Sequence, residues 1–163
     1  MIITAGIIFV VIFGSYIIFY TREKRQLKKE EKAQGNTTGL QLQAYERLVI
    51  LTERISLRSL VSRIPSAGLS AKEYLSVLIE HIKHEYDYNI SQQLYVSQTA
   101  WQAVTNLKEQ NIFILHQLAN SLPAEASGHD LGRRVLELLD TDPKVSLHHI
   151  VLEALRFEAK KLM

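Results

Sequence analysis

Apolar and polar positions change their pattern sharply near residue 20. From Ile2 to Tyr20 no residue is charged, and only Thr4, Gly6, Gly14 and Ser15 are not plainly apolar or aromatic. At 1.5 Å per helical residue this run spans about 28 Å, close to the roughly 30 Å hydrocarbon core of a bilayer. A core helix of a soluble protein usually keeps one polar face, and this run has none. A cleaved leader carries cations before its apolar stretch and a small-x-small site after it; here only Met1 precedes and Tyr20-Thr21-Arg22-Glu23 follows. Residues 1–21 are therefore expected to form an uncleaved transmembrane anchor, with Tyr16 and Tyr20 near the interface.

Beyond it the periodicity is that of amphipathic helices. Gln34-Gly35-Asn36-Thr37-Thr38-Gly39 predicts a polar tether closing a juxtamembrane segment over 22–39. From Leu40 to Ile64 there is no Gly or Pro, and Ala44, Leu48, Leu51 and Ile55 recur at helical spacing. Further apolar positions at 42, 45, 49 and 60, and at 50, 57 and 61, occupy other faces. That predicts one helix buried in the middle of a bundle and ended by Pro65, Ser66 and Gly68. Ser70-x-x-Glu73 reads as a capping box opening a helix to about Glu85. Ser97 is placed to cap a third helix to about Ser121, stopped by Pro123. On its wheel Val104, Leu107, Ile112, Leu115, Leu118 and Ala119 fall within about 140° of arc, with Trp101 as its expected centre and Phe113 on the opposite side. Asp130 is expected to cap a short helix through Leu139. Asp142-Pro143 breaks the chain before a last helix that ends at Lys160-Lys161, where cations suit the negative helix end. Tyr88 to Val96 fits either a loop or a short extended piece. The fold class read here is all-α: one N-terminal transmembrane helix, then a helical bundle of about four to five helices over 40–163.

Charge gives the anchor a direction. Arg22, Lys24, Arg25, Lys28, Lys29 and Lys32 stand against Glu23, Glu30 and Glu31, a local net charge of +3 in a chain whose total is +2. The rest of the chain is thus at −1 and offers no net basic field to nucleic-acid phosphates, so no nucleic-acid partner is expected. By the positive-inside rule the N-terminus faces out and the bundle faces the cytoplasm, an inner-membrane, single-pass placement. Arg22, Lys24, Arg25, Lys28 and Lys29 then become contacts to anionic lipid. The absence of cysteine removes disulfides, thiolate metal sites and thiol nucleophiles, and suits a reducing compartment.

Four features carry candidate chemistry. His81-x-x-His84 could chelate a metal, but His148-His149 is the only other cluster and adjacent helical residues point about 100° apart, so surface histidines are the simpler reading. Arg47, Arg54 and Arg58 line up at spacings of seven and four on an apolar helix, which calls for anions: the protein's own carboxylates, or lipid phosphate or a partner's acidic patch. Tyr86, Tyr88 and Tyr95, with Phe113, have the polar-aromatic character of a partner surface, although buried tyrosines pin helix crossings equally well. No phosphate-binding glycine loop, nucleophile elbow or dinucleotide fingerprint occurs, so neither a catalytic residue nor a cofactor or metal site is expected.

The charge-free N-terminal run, Gln43-Ala44-Tyr45-Glu46-Arg47-Leu48, the segment Tyr88-Asn89-Ile90-Ser91-Gln92-Gln93-Leu94-Tyr95-Val96-Ser97 with Trp101, and the closing Leu152 to Leu162 resemble, taken together, a bacterial family of small single-span membrane proteins of unknown function. The resemblance implies no activity. The expectation is a membrane-anchored cytoplasmic helical domain acting as an interaction or scaffold protein, its partners the lipid bilayer and an unidentified protein or a second copy. A stalk-like structural subunit and a membrane-tethered hydrolase are the alternatives; three prolines argue against one long rod.

Overall fold

The structure is a computed structural model that describes residues 22–25, 29, 35, 37–142 and 146–163. The apolar run at 2–20, and with it the expected transmembrane helix, lies outside the described residues, as does Lys28. Among the described residues no helix is long and apolar enough to cross a membrane. The chain divides into two units, Met1–Leu40 and Gln41–Met163. In the first, Gly35 and residues 37–39 are helical where a tether was expected.

The second unit is all-helical. It comprises α1 (residues 41–55, the backbone being helical already at 37–40), α2 (Leu57–Arg63), α3 (Ala71–Tyr88), a 3-10 turn (Ile90–Leu94), α4 (Gln98–Asn120), α5 (Gly128–Thr141) and α6 (His148–Lys160). No strand occurs among the described residues, only one isolated antiparallel bridge between Ser70 and Ser127.

The first soluble helix is not continuous. Ser56 takes an extended backbone (φ −60°, ψ 137°), and its hydroxyl accepts from the Ser59 amide and donates to the Glu53 carbonyl. A serine side chain offers the backbone an alternative to the helical ladder, so the rod splits into α1 and α2 at a residue that hydropathy does not mark. The capping box at Ser70 and Glu73 forms as the sequence predicts. So does the Ser97 cap of α4. Asp130 does not cap α5: Ser127 does, and Asp130 is the third residue of the helix, returning its carboxylate to the Ser127 amide at 3.0 Å. The ambiguous segment is the 3-10 turn.

Cross-links fix the course of the helices. Tyr45 near the start of α1 bonds Glu158 near the end of α6, and Glu53 near the end of α1 meets His148 at the start of α6, so these two run antiparallel. Ser97 meets Glu158 while Gln110 meets Leu147, which makes α4 and α6 antiparallel as well. Arg54 meets Glu85, Arg47 stacks on Tyr88, and α3 returns beside α1. At the opposite end Tyr74 bonds the Ile64 carbonyl and Gly128 the Leu69 carbonyl, joining the end of α2 to the starts of α3 and α5.

The bundle therefore has four rods, of which the first (α1 with α2) and the fourth (α5 with α6) are broken. Leu48, Leu51, Ile55, Leu60, Tyr74, Leu78, Ile82, Val104, Leu107, Leu115, Leu131 and Leu155 form its buried core. Both halves of the fourth rod lie against α4, and the break lets the other neighbours change: α5 packs also on α2 and α3, while α6 meets α1.

The phase of α4 also needs correction. Its buried residues are Ala100, Val104, Leu107, Asn111, Ile114 and Leu115, so Trp101 lies on the shoulder of the core stripe, half-buried against Tyr86 with ring centroids 5.0 Å apart. Phe113 is exposed, as its wheel position predicts, at 62% of its full area. The helix at 128–141 does not cover it.

Candidate functional site

The two broken rods part at the same level, and the gap between them is a cleft of about 590 Å³. Glu53, Ser56, Leu57, Arg58, Ser59 and Ser62 line one wall from the α1–α2 break; Leu139, Asp140, Ser146, His148 and His149 line the other from the α5–α6 break. Neighbouring residues of α4 satisfy the backbone on both sides. Asn111 donates its side-chain amide to the Ile55 carbonyl at 2.8 Å, a carbonyl freed by the Ser56 break. Gln110 accepts from the Leu147 amide at 2.9 Å, at the open start of α6. Orphaned helix-end groups need such partners, and a continuous helix passing both breaks supplies them.

The ionisable groups of the cleft are paired across it. His148 Nε2 lies 3.1 Å from a Glu53 carboxylate oxygen, and His149 packs edge-on to His148 at 5.0 Å. Arg58 bonds Asp140 at 2.5 Å. Both Arg58 and Asp140 are more than half exposed, so their pairing holds register more than it adds stability. Three of the hydroxyls serve the backbone: Ser56 bonds the Glu53 carbonyl, Ser62 the Arg58 carbonyl, and Ser146 the His148 amide. The His148 ring meets the Glu53 carboxylate through Nε2.

The other sequence candidates are dispersed. Arg54 pairs with Glu85 at 2.7 Å and Arg58 with Asp140, both carboxylates of this chain, whereas Arg47 lies 5.6 Å from the centroid of the Tyr88 ring. His81 and His84 are exposed on α3, and His81 lines a smaller depression with Arg54, Arg63 and Glu85, apart from His148 and His149. Of the expected lipid contacts, Arg22, Lys24, Arg25 and Lys29 are exposed.

The tyrosines divide. Tyr86 is half-buried: its hydroxyl bonds Thr105 at 2.8 Å, whose own proton goes to the Trp101 carbonyl, and Lys108 sits 4.3 Å over its ring. It pins a helix crossing. Tyr88 and Tyr95 stay exposed beside Ile90 and Leu94 on the 3-10 corner. Phe113 is eight residues along α4 from the Thr105 that holds Tyr86, about 12 Å on, so it stands apart from Tyr86 on that helix.

A second polar cluster closes the end of the bundle at which α1 begins. The Tyr45 hydroxyl donates to Glu158 at 2.6 Å and accepts from the Ser97 amide at 3.2 Å, while the Ser97 hydroxyl donates to the same carboxylate oxygen at 2.5 Å. Burial raises the Glu158 pKa, but the hydrogen bonds from Ser97 and Tyr45, with Lys161 nearby, outweigh it and hold the carboxyl below its ordinary 4.5. Burial and the Glu158 carboxylate push the Tyr45 phenol above 10.0.

The sequence pattern of a family of unknown function, DUF7935, matches residues 1–162. The chain belongs to that family. Comparison with curated proteins and with solved structures gave no match. The match assigns no activity, no source and no membrane attachment. Ser56, which breaks the first rod, and Asn111 and Gln110, which bond backbone at the two breaks, belong to no motif in the sequence. Asn111 alone left a signal: its wheel position falls between Val104 and Leu107, inside the apolar arc, where a polar side chain must be buried.

Proposed function

We propose that this protein is a membrane-anchored helical module with a non-catalytic interaction or scaffold role, its bundle held at the cytoplasmic face by residues 2–20 and the basic segment that follows. The observation that carries this reading is the state of the cleft. Its carboxylates, its arginine and one of its two histidines are committed to each other, and three of its hydroxyls to backbone, so they are spent on holding two broken rods in register. A hydrolase would require a hydroxyl hydrogen-bonded to a base that a third group orients, and the hydroxyl bonds of Ser56, Ser62 and Ser146 run to backbone. Large apolar side chains are meanwhile left on the outside, Phe113 on α4 among them. A stalk would need a rod much longer than α4, which at 23 residues is about 34 Å and the longest of the helices α2 to α6.

Photo-cross-linking tests the proposal. A photoreactive residue at Phe113, in the full chain in native membranes, should capture a protein or a second copy. Labelling that captures none, together with hydrolytic activity lost on Glu53→Gln or His148→Ala, would replace it with the enzyme reading. Topology is checked with C-terminal fusions: an alkaline phosphatase fusion should be inactive, and an active one would invert the anchor.

A further inference from the structure

Between the ends of α1 and α2 and the passing side of α3 lies a depression of about 220 Å³, lined by Arg54, Arg63, Ile64, Pro65, His81 and Glu85. Two guanidiniums and an imidazole reach it from three different helices, against one carboxylate. With His81 neutral the lining carries a formal charge of +1. The carboxylate is also the more covered group. Glu85 keeps 12% of its side chain in solvent, whereas Arg54, bonded to it through Nε and a terminal nitrogen at 2.7 Å each, keeps 51%. Glu85 thus seats the guanidinium, and the group left open to solvent is the cation.

Arg63 is set in place by a different bond. One of its terminal nitrogens donates to the Arg54 carbonyl at 3.0 Å, and among the described residues no carboxylate pairs with it. The neighbouring acids are turned elsewhere: Glu53, next to Arg54 in sequence, lies 3.1 Å from His148, and Asp140 is bonded to Arg58. Glu80 and Asp87 stand about 100° and 120° round α3 from His81.

Both guanidiniums are fixed, and neither is used up. A guanidinium has five N–H donors, of which Arg54 spends part on Glu85 and Arg63 one on a carbonyl, and exposed His81 offers an N–H in either tautomer. Like charges at one depression with a single covered acid between them call for an anion. Guanidinium forks match phosphate oxygens, and donors arriving from three helices suit an ion with several equivalent oxygens on one tetrahedral centre. The volume is below the roughly 300–1,000 Å³ of pockets that enclose drug-sized ligands, so it takes a small head group and not a whole cofactor.

We infer that Arg54, Arg63 and His81 form a binding site for a phosphate-type oxyanion, as free phosphate or as the phosphomonoester of a lipid headgroup, with Glu85 the positioning residue that holds Arg54. Such a site adds a ligand to the non-catalytic module proposed above and requires neither its anchor nor Phe113.

Arginine side-chain NMR of the full-length protein in an uncharged detergent, at constant ionic strength, tests the site. Inorganic phosphate should move the Nε–H signals of Arg54 and Arg63 along a saturating curve, while those of Arg133 and Arg134, bonded to Asp130 and Glu137 on α5, stay in place. Arg63→Gln and His81→Gln should each weaken the binding read at Arg54 by about tenfold, the loss of one hydrogen bond to a charged group, with helicity unchanged. If Arg63→Gln lowers helicity, His81→Gln decides. Nanodiscs of phosphatidylcholine with phosphatidic acid, in phosphate-free buffer, separate the sources: shifts there alone assign the headgroup, shifts with phosphate alone assign a soluble ligand, and shifts in both mean that the phosphate group itself is read. Shifts linear in phosphate and shared by Arg133 and Arg134 mean screening only and overturn the site. So does silence in both arms, or binding that neither variant weakens. None of these results bears on cross-linking from Phe113 or on the fusion topology, so failure here leaves the interaction reading standing.

Discussion

Asn111 does at one residue what the cleft needs at a point where a hydrophobic side chain would fill the core better. Its amide reaches the Ile55 carbonyl, but its own carbonyl oxygen and the neighbouring rod's Thr52 hydroxyl are buried without a hydrogen-bond partner. The two orphans predict opposite mutational outcomes. Asn111→Ala strands the Ile55 carbonyl and opens a cavity, and should cost about 2–4 kcal/mol by thermal or urea unfolding. Thr52→Val removes an unsatisfied hydroxyl at nearly constant volume, and should leave stability unchanged or raise it by about 1 kcal/mol. Trp101, expected at the core centre, sits on its shoulder against Tyr86, so Trp101→Ala should cost less than the roughly 3–5 kcal/mol of a fully buried tryptophan.

Element by element, the contact of α5 with α3 rests on two glycines that differ in what surrounds them. A Cβ on Gly128 would lie 2.9 Å from Tyr74 Cβ and 3.1 and 3.2 Å from the Ser66 and Leu69 carbonyl oxygens, atoms close to or within backbone that cannot turn aside. Gly128→Ala should therefore destabilise by about 1–3 kcal/mol, despite a helix-propensity gain of about 1 kcal/mol. At Gly132 the nearest atom is the Val61 Cγ1 at 3.3 Å, a side chain able to give way, so Gly132→Ala should be close to neutral in the same melts. Ser127→Ala should cost about 1 kcal/mol by removing the α5 cap. Legibility in the sequence follows the same division. The Ser70 and Ser97 caps, the course of α4 and the end of α6 could be read because each depends on residues close in sequence. The split at Ser56 could not, because the acceptor it frees is satisfied from α4, 56 positions away. Nor could the cleft: its walls come from two breaks that only the packing of α5 and α6 around α4 brings level. The α5 start lies three residues before the expected Asp130, because Ser127 is the capping member of a Ser-x-x-Asp box in which Asp130 is the second.

For the whole molecule, the tie between Tyr45, Ser97 and Glu158 joins the first, third and last rods at one end, and its titration sets limits on the fold from both sides. Glu158 is held below its ordinary value, so the folded state favours the ionised form. The stability this contributes is present above the unfolded pKa of about 4.5 and is lost as pH falls through the lower folded value. Tyr45 is shifted upward, so the folded state favours the neutral phenol. Its contribution is complete below the unfolded pKa of about 10 and is lost as pH rises through the higher folded value. Asp130 and Glu73, held low by the Ser127 and Ser70 caps, add to the acid limb but not to the alkaline one. Two substitutions separate the contributions. Glu158→Gln should lower stability at neutral pH and flatten, without abolishing, the loss as pH falls below the ordinary carboxylate range, since the capping carboxylates still titrate. Tyr45→Phe should remove the alkaline limb that the phenol supplies and weaken the acid limb too, because Glu158 then loses one of its donors. Urea unfolding of both variants across this pH range is the measurement. An acid limb unchanged in both would mean that the three rods are not held together through this carboxylate.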